Sequence, residues 1–309
     1  MIIMTETSLS TQTPSERPAA SDKTNKKTPQ NSMLKKHRFE RFFDMKMQGH
    51  AKEPQMPLFW ARFLGTVVGA FCKILFRYTI KNQDIVNGFK GKQSGAVLVA
   101  PHVSYLDVVM MWESVRPQQF CRLIARDSLF TVAGGILGFF IARVGAIPIR
   151  RNTSDRLAIK RATRFLKGGE LVGIFPEGTR RGKGNVDPAL HGGAAMIARL
   201  GKAPLIPVGF TNIDKVKEKG QRTHFPKITI IFGEPVAVSS FDFLPKEDRL
   251  DGCTWYVLRE AFALSRQCRP EDVNMKEFFP ASKDFAPLFA EHTIPRVDVA
   301  ALPNAVDNS

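Results

Sequence analysis

His102 and Asp107 stand five residues apart in the stretch Ala100-Pro-His-Val-Ser-Tyr-Leu-Asp107. An imidazole and a carboxylate at that spacing can act as a pair. The carboxylate accepts a hydrogen bond from one ring nitrogen and fixes the tautomer, and the other nitrogen is left to take a proton from a hydroxyl. Two elements must hold them. The apolar run Ala96–Ala100 reads as a buried strand, and the apolar segment from Leu106 to Trp112 reads as the opening of a helix. His102 then lies in a loop at a strand end, with Asp107 about one helical turn further on. In open α/β sheets that crevice is where ligands bind.

Two further stretches carry groups of the same kind. Gly173-Ile-Phe-Pro-Glu-Gly-Thr-Arg180 again follows a strand-like run, and Gly145-Ala-Ile-Pro-Ile-Arg-Arg151 ends on paired arginines. Over roughly residues 81 to 240 the set resembles the glycerolipid acyltransferases of the 1-acyl-glycerol-3-phosphate acyltransferase type. Their hallmark is a His-x4-Asp motif followed by Phe-Pro-Glu-Gly-Thr-Arg. The resemblance implies direct attack of a substrate hydroxyl on an acyl thioester, with His102 as base and Asp107 as its orienter. It implies acyl-CoA or acyl-carrier protein as co-substrate, no cofactor and no metal, and lysophosphatidic acid as the acceptor that becomes phosphatidic acid. An acceptor bearing a phosphate needs cations, and the planar fork of arginine suits its oxygens. Arg151 and Arg180 close two of the motifs and are the candidates. Glu177, Gly178 and Thr179 complete the binding set by resemblance; on its own, Glu177 also reads as a turn-forming hydrogen-bond acceptor. Ser104 reads as a helix cap. Two positions depart from the family pattern: Pro101 stands where many relatives have Asn, and Arg150 where many have Asp. The second leaves other acceptors open within the same fold, namely glycerol 3-phosphate, another lysophospholipid or a glycolipid.

Composition sets the frame. The chain has 309 residues, 43% hydrophobic, with a net charge of +16 and a pI near 9.9. This excludes a many-span membrane protein and favours an anionic partner: a membrane surface, an acidic carrier protein or nucleic acid. A nucleic-acid-binding protein is thus a reading from another class. Against it, no basic motif interleaved with aromatics stands out, so no nucleic acid is expected. Between Arg116 and Glu170, eleven Lys or Arg face three Asp or Glu, a local net of +8 beside the motifs. The four cysteines (Cys72, Cys121, Cys253, Cys268) show no metal-ligand spacing and read as reduced thiols. Met1 to Thr28 has no apolar signal core. The glycines of Gly178-x3-Gly182-Lys183 fall one residue short of a nucleotide-binding loop, and no Ser or Thr follows the lysine.

In order, residues 1–33 are polar and predicted to be a disordered tail. Residues 34–80 are predicted to be membrane-associating helices on the cytoplasmic face. Within them Leu34–Gln48 spaces Phe39, Phe42, Phe43 and Met47 helically among basic residues, which fits either a membrane-surface helix or one docked on the protein's own core. Pro57–Ile80 is more apolar, but its longest uncharged run is Phe63–Cys72. An interfacial helix is preferred over a span, with Arg62, Lys73 and Arg77 reaching toward headgroups. Residues 81–250 are predicted to be the acyltransferase domain, α/β in class, a central and mostly parallel sheet covered by helices. Strand-like runs lie at Ala96–Ala100, Cys121–Ala125, Ala146–Ile149, Leu171–Phe175, Leu205–Phe210 and Ile228–Phe232. Leu129–Ala142 reads as a core helix, and, given the resemblance, as the wall of an acyl-chain tunnel. Arg151–Gly169 reads as an amphipathic helix capped by Thr153 or Ser154, with Leu157, Ala158, Ala162, Phe165 and Leu166 inward and Lys160, Arg161, Arg164 and Lys167 outward. Residues 251–309 are predicted to form a C-terminal helix, beginning near Asp251, and a tail.

Overall fold

In the computed structural model the described residues are 39–47, 54–150, 155–178, 190–217 and 222–305. Contacts divide the chain into Met1–His37 and Arg38–Ser309, and the described residues all belong to the second unit. The predicted disordered tail therefore lies outside the described residues, as do 34–38 and 48 of the predicted N-terminal helix.

The described residues open with α1 (Glu40–Phe43) and α2 (Phe59–Phe76), then β1 (Thr79–Lys81), α3 (Gln83–Asn87), β2 (Val97–Val99), α4 (Tyr105–Ser114) and β3 (Cys121–Arg126). They continue with α5 (Ile136–Arg143), β4 (Ile147–Ile149), α6 (Arg156–Lys167), β5 (Leu171–Ile174), α7 (Gly193–Gly201), β6 (Leu205–Thr211) and β7 (Thr229–Phe232). The C-terminal part adds α8 (Arg249–Arg266), α9 (Met275–Phe278) and α10 (Ala286–Ala290). The strands form one seven-stranded sheet in the order β1-β7-β6-β2-β5-β3-β4. All pairings are parallel except β6 with β7. All six strand-like runs are strands in this sheet. The seventh, β1, is a three-residue edge strand, Thr-Ile-Lys, too short and too polar to stand out by pattern.

The strand alternation sorts the core onto two faces. Leu98, with Ala96 and Ala100 flanking β2, packs with Met110, Met111, Phe42 and Phe43 on one side; Val97 and Val99 pack with Phe165, Ala195 and Leu258 on the other. So α1, α2 and α4 cover the first face, and α6, α7 and α8 the second.

Of the two readings open for Leu34–Gln48, the described part takes the docked one: Phe39, Phe42, Phe43 and Met47 are buried in the protein's own core, and among the described residues of this stretch only Glu40–Phe43 is helical. The reason is a set of polar anchors. Arg122 donates to the Met45 carbonyl (2.6 Å), Glu170 accepts from the Met47 backbone (3.2 Å), and Arg161 pairs with Glu40 and Asp44. Arg161 thus points inward, not outward, and the same pairing holds the Asp44 carboxyl below its ordinary range. Leu157, expected inside, is exposed. Asp155 caps α6, accepting from Ala158 (3.1 Å); Thr153 and Ser154 lie outside the described residues.

α2 has two apolar faces. Ala61, Gly65, Gly69, Cys72 and Phe76 are buried at helical spacing. Phe59, Phe63, Val67, Phe71 and Ile74 are exposed, Ile74 by 77%. It is the one helix among the described residues long and apolar enough to cross a membrane. Its glycines let α4 approach. Arg116 passes beneath Gly65 and donates to the carbonyls of Ala61 (2.5 Å) and Arg62 (3.3 Å), while Glu113 lies beneath Gly69. Lys73 and Arg77, expected to reach outward, donate instead to the carbonyls of Tyr78 (2.6 Å) and Phe225 (2.8 Å).

Burial beneath α2 pushes the Glu113 carboxyl up to about 7, which Arg116, 3.7 Å away, offsets only in part. A carboxyl that binds its proton more tightly folded than unfolded stabilises the fold at low pH and loses that contribution as pH rises toward its folded value. Stability supplied by protonated Glu113 is therefore full below 4.5 and declines up to about 7. We expect Glu113→Gln to flatten the pH dependence of the urea midpoint across this window. An unchanged slope would show that the carboxyl is already ionised in the folded protein.

The Leu129–Ala142 segment is also not a single core helix. It turns through two 3-10 segments before α5, with Gly134 and Gly135 at φ of 66° and 90°. Gly138 does permit close backbone approach, because a Cβ there would lie 2.2 Å from the Phe130 carbonyl oxygen. Val132, Ile136 and Leu137 face outward. An apolar stretch that lines the surface cannot be told from a core helix by composition.

Candidate functional site

The two central motifs meet because β2 and β5 are neighbours. Val99 is in register with Ile174, so His102 and Glu177 each follow their strand by three residues on adjacent loops. The helix after β2 packs on one face of the sheet and the helix after β5 on the other. The loops therefore part at this point and leave a crevice at the strand ends.

His102 Nδ1 lies 3.0 Å from Asp107 Oδ2. A carboxylate can only accept, so the ring proton sits on Nδ1 and the Nε2 lone pair is left for chemistry. Asp107 is fully buried and also accepts from the backbone N–H of Val103 (2.5 Å) and of Ser104 (2.8 Å). Its position follows from the helix start. Ser104 is the N-cap of α4, its hydroxyl accepting from Leu106 N–H (3.2 Å), and Asp107 returns the bond to Ser104 N–H as the reciprocal half of a capping box. One carboxylate thus caps the helix and orients the imidazole.

Glu177 is buried, and its Oε1 accepts the His102 backbone N–H at 3.0 Å. The second motif therefore holds the loop that carries the first. The Phe175 ring packs against the imidazole with centroids 4.6 Å apart. Gly178 turns the chain at φ 61°, which favours glycine, and its N–H donates to the Phe175 carbonyl (3.0 Å). Thr179, Arg180 and Arg151 lie outside the described residues. Neither Phe175 nor Arg126 was picked out by sequence. Phe175 was hidden within the recognised motif. Arg126, exposed at the end of β3, had as its signal only the local excess of charge. Arg150 follows β4 at the same end of the sheet, its Nε 3.8 Å from Asp127.

The buried thiols are unsuited to a covalent step. Desolvation raises Cys72 to about 11 and carries Cys121 and Cys253 higher still, so they are not thiolates near neutral pH. Among the described residues, no group of three or more His, Cys, Asp or Glu could hold a metal.

Comparison with known proteins places these features in context. A family model described as Acyltransferase matches residues 77–211. The chain is similar to the 1-acyl-sn-glycerol-3-phosphate acyltransferase of Bacillus subtilis, 34% identical over 161 residues, covering 52% of this chain and 76% of that protein. It is similar to the protein of the same name from Streptococcus pneumoniae, 34% identical over 144 residues, covering 46% of this chain and 50% of that one. Among solved structures it is similar to a 1-acyl-sn-glycerophosphate acyltransferase of Thermotoga maritima, with a TM-score of 0.48 and 22% identity over 66% of this chain and 80% of that one.

Proposed function

The chain belongs to the acyltransferase family, of the 1-acyl-sn-glycerol-3-phosphate acyltransferase type, and from that premise we propose that it acylates lysophosphatidic acid. A fatty acyl group passes from acyl-CoA or acyl-carrier protein to the free hydroxyl of 1-acyl-glycerol 3-phosphate, giving phosphatidic acid without a cofactor. The observation that carries the reading is the His102–Asp107 contact of 3.0 Å, held by a fully buried carboxylate that leaves Nε2 available.

In the proposed reaction the hydroxyl oxygen attacks the thioester carbonyl as Nε2 takes its proton. Asp107 stabilises the imidazolium that forms, as the carboxylate does in hydrolase triads, but with no protein nucleophile. The tetrahedral intermediate expels the thiolate, breaking the C–S bond, and the imidazolium returns the proton to the sulfur. Glu177 acts as a positioning residue through the His102 N–H. The phosphate is met by guanidinium groups: Arg151 and Arg180, by their place in the motifs, joined by Arg126, which ends β3, and Arg150, which follows β4, at the same end of the sheet as His102. The outer face of α2 lies on the cytoplasmic surface of a membrane, which is where an amphiphilic acceptor resides.

The test is acyl transfer by the purified protein in detergent, with lysophosphatidic acid and either acyl-CoA or acyl-carrier protein. Phosphatidic acid from at least one donor is expected. Product from glycerol 3-phosphate or another lysolipid, with none from lysophosphatidic acid, would overturn the acceptor.

A further inference from the structure

A second site stands apart from the His102 crevice, where α1, the start of α2 and the end of α5 meet. Arg41, Arg143, Phe42, Phe59 and Trp60 are among the residues around a cavity of about 400 Å³ that, among the described residues, no Asp or Glu lines. Both guanidinium groups lie on one ring, Arg143 at 4.4 Å and Arg41 at 4.7 Å from the Phe42 centroid. Arg143 is fixed further by the Phe139 ring (3.5 Å) and carbonyl (3.0 Å). The acidic residues nearest in sequence, Glu40 and Asp44, are engaged by Arg161. Among the described residues, neither Arg41 nor Arg143 has a carboxylate partner.

Two like charges sharing one aromatic ring repel. Arg143 accordingly lies below the ordinary arginine range, through burial first and Arg41 second. A helix C-terminus favours one cation, which accounts for Arg143 at the end of α5 but not for Arg41 facing it. An anion between them would relieve the repulsion. The cavity also adjoins the exposed ridge of α2, since Phe59 lines it and stacks on Phe63, 6.1 Å between centroids. Trp60 beside it is the kind of side chain that sits at headgroup depth.

We propose that this cavity binds the phosphate of an anionic phospholipid standing in the bilayer, with the acyl chains of that lipid running beside the α2 ridge. The proposal rests on the reading that the outer face of α2 meets a membrane. It adds a lipid site that shares no residue with the catalytic one and selects the membrane by headgroup charge.

The experiment is binding of the full chain to phosphatidylcholine vesicles with and without phosphatidylglycerol. An arginine near an anionic surface contributes on the order of a fivefold factor in affinity, so Arg41→Gln/Arg143→Gln is expected to weaken binding to the anionic vesicles by roughly 25-fold. Binding to neutral vesicles and acyl transfer in detergent should not change. Arg266→Gln/Arg269→Gln, which removes the same charge from exposed positions, should have a much smaller effect. An equal loss in this control, or an equal loss on neutral vesicles, would overturn the site.

The source of the phosphate is read from fluorescence. Trp112 and Trp255 are buried, whereas Trp60 is partly exposed. Brominated phosphatidylglycerol should quench Trp60 in the wild type and much less in the variant, with Trp60→Phe identifying the signal. Inorganic phosphate or glycerol 3-phosphate alone should leave it unchanged; the same response to either would overturn the lipid assignment. Should the double variant fail to fold, Arg41→Gln alone, at an exposed residue, is expected to give about a fivefold loss. Failure to bind any vesicle would overturn the membrane reading itself, and the detergent assay judges the catalytic reading independently.

Discussion

Replacing His102 with alanine is expected to lower acyl transfer by about 10²- to 10⁴-fold, the range that a positioned general base contributes. The melting temperature should fall far less than the rate, because among the described residues the side chain's one polar contact is with Asp107, which keeps the N–H donors of Val103 and Ser104 when the ring is removed. Asp107→Asn should cause a loss of similar size for a different reason. The amide can donate toward Nδ1, favouring the wrong tautomer, and it cannot balance the imidazolium. Asp107→Ala should be worse in a second respect. The N–H groups of Val103 and Ser104 lose their buried acceptor, which costs about 1–3 kcal/mol. Thermal unfolding beside single-turnover rates separates the two effects. Full activity in His102→Ala would remove the general base from the mechanism, whatever the substrate.

Glu170→Ala is expected to be the most destabilising single change in the scaffold, by about 3–5 kcal/mol, because it leaves a buried guanidinium uncompensated. Arg122 and Glu170 are each 1% exposed at the side chain and bonded at 2.5 Å between β3 and the start of β5. Each also holds the N-terminal segment, Arg122 through the Met45 carbonyl and Glu170 through the Met47 N–H. Among the described residues, Nη1 of Arg122 has no hydrogen-bond partner, so the guanidinium has no reserve when its carboxylate is lost. Residues 39–47 should then detach and become sensitive to proteolysis before the sheet unfolds. Replacing both partners together, Arg122→Met with Glu170→Leu, should recover much of the stability of the sheet, since no buried charge remains. The freed Met45 and Met47 backbone groups would still leave the N-terminal segment loosened. Urea midpoints of the single and double variants decide this; equal losses in both would show that the pair is not where the energy resides.

Much of the site was legible because local chemistry specified it. His102 and Asp107 lie within one strand–loop–helix unit, and the capping box that places the carboxylate is itself a short-range pattern. The strand runs around the motifs were legible for the same reason, as buried parallel strands read as continuous apolar stretches. Gly178 was legible as part of a motif, and its φ of 61° supplies the physical ground.

What the sequence determined by itself was the pairing of His102 with Asp107, the mostly parallel α/β character and the concentration of cations around the motifs, all of which depend on neighbours in the chain. The tertiary structure decided the rest, because it depends on which strands pair and which charges meet. Setting β2 beside β5 brought Glu177 onto the His102 N–H. The distant carboxylates Glu40, Asp44 and Glu170 drew Arg161 and Arg122 inward and carried four apolar N-terminal side chains into the core. The same packing left α2 with one face against Glu113 and Arg116 and the other uncovered. No periodicity distinguishes an apolar face that docks on its own protein from one that remains outside, because both present the same kind of side chains and differ only in what lies opposite.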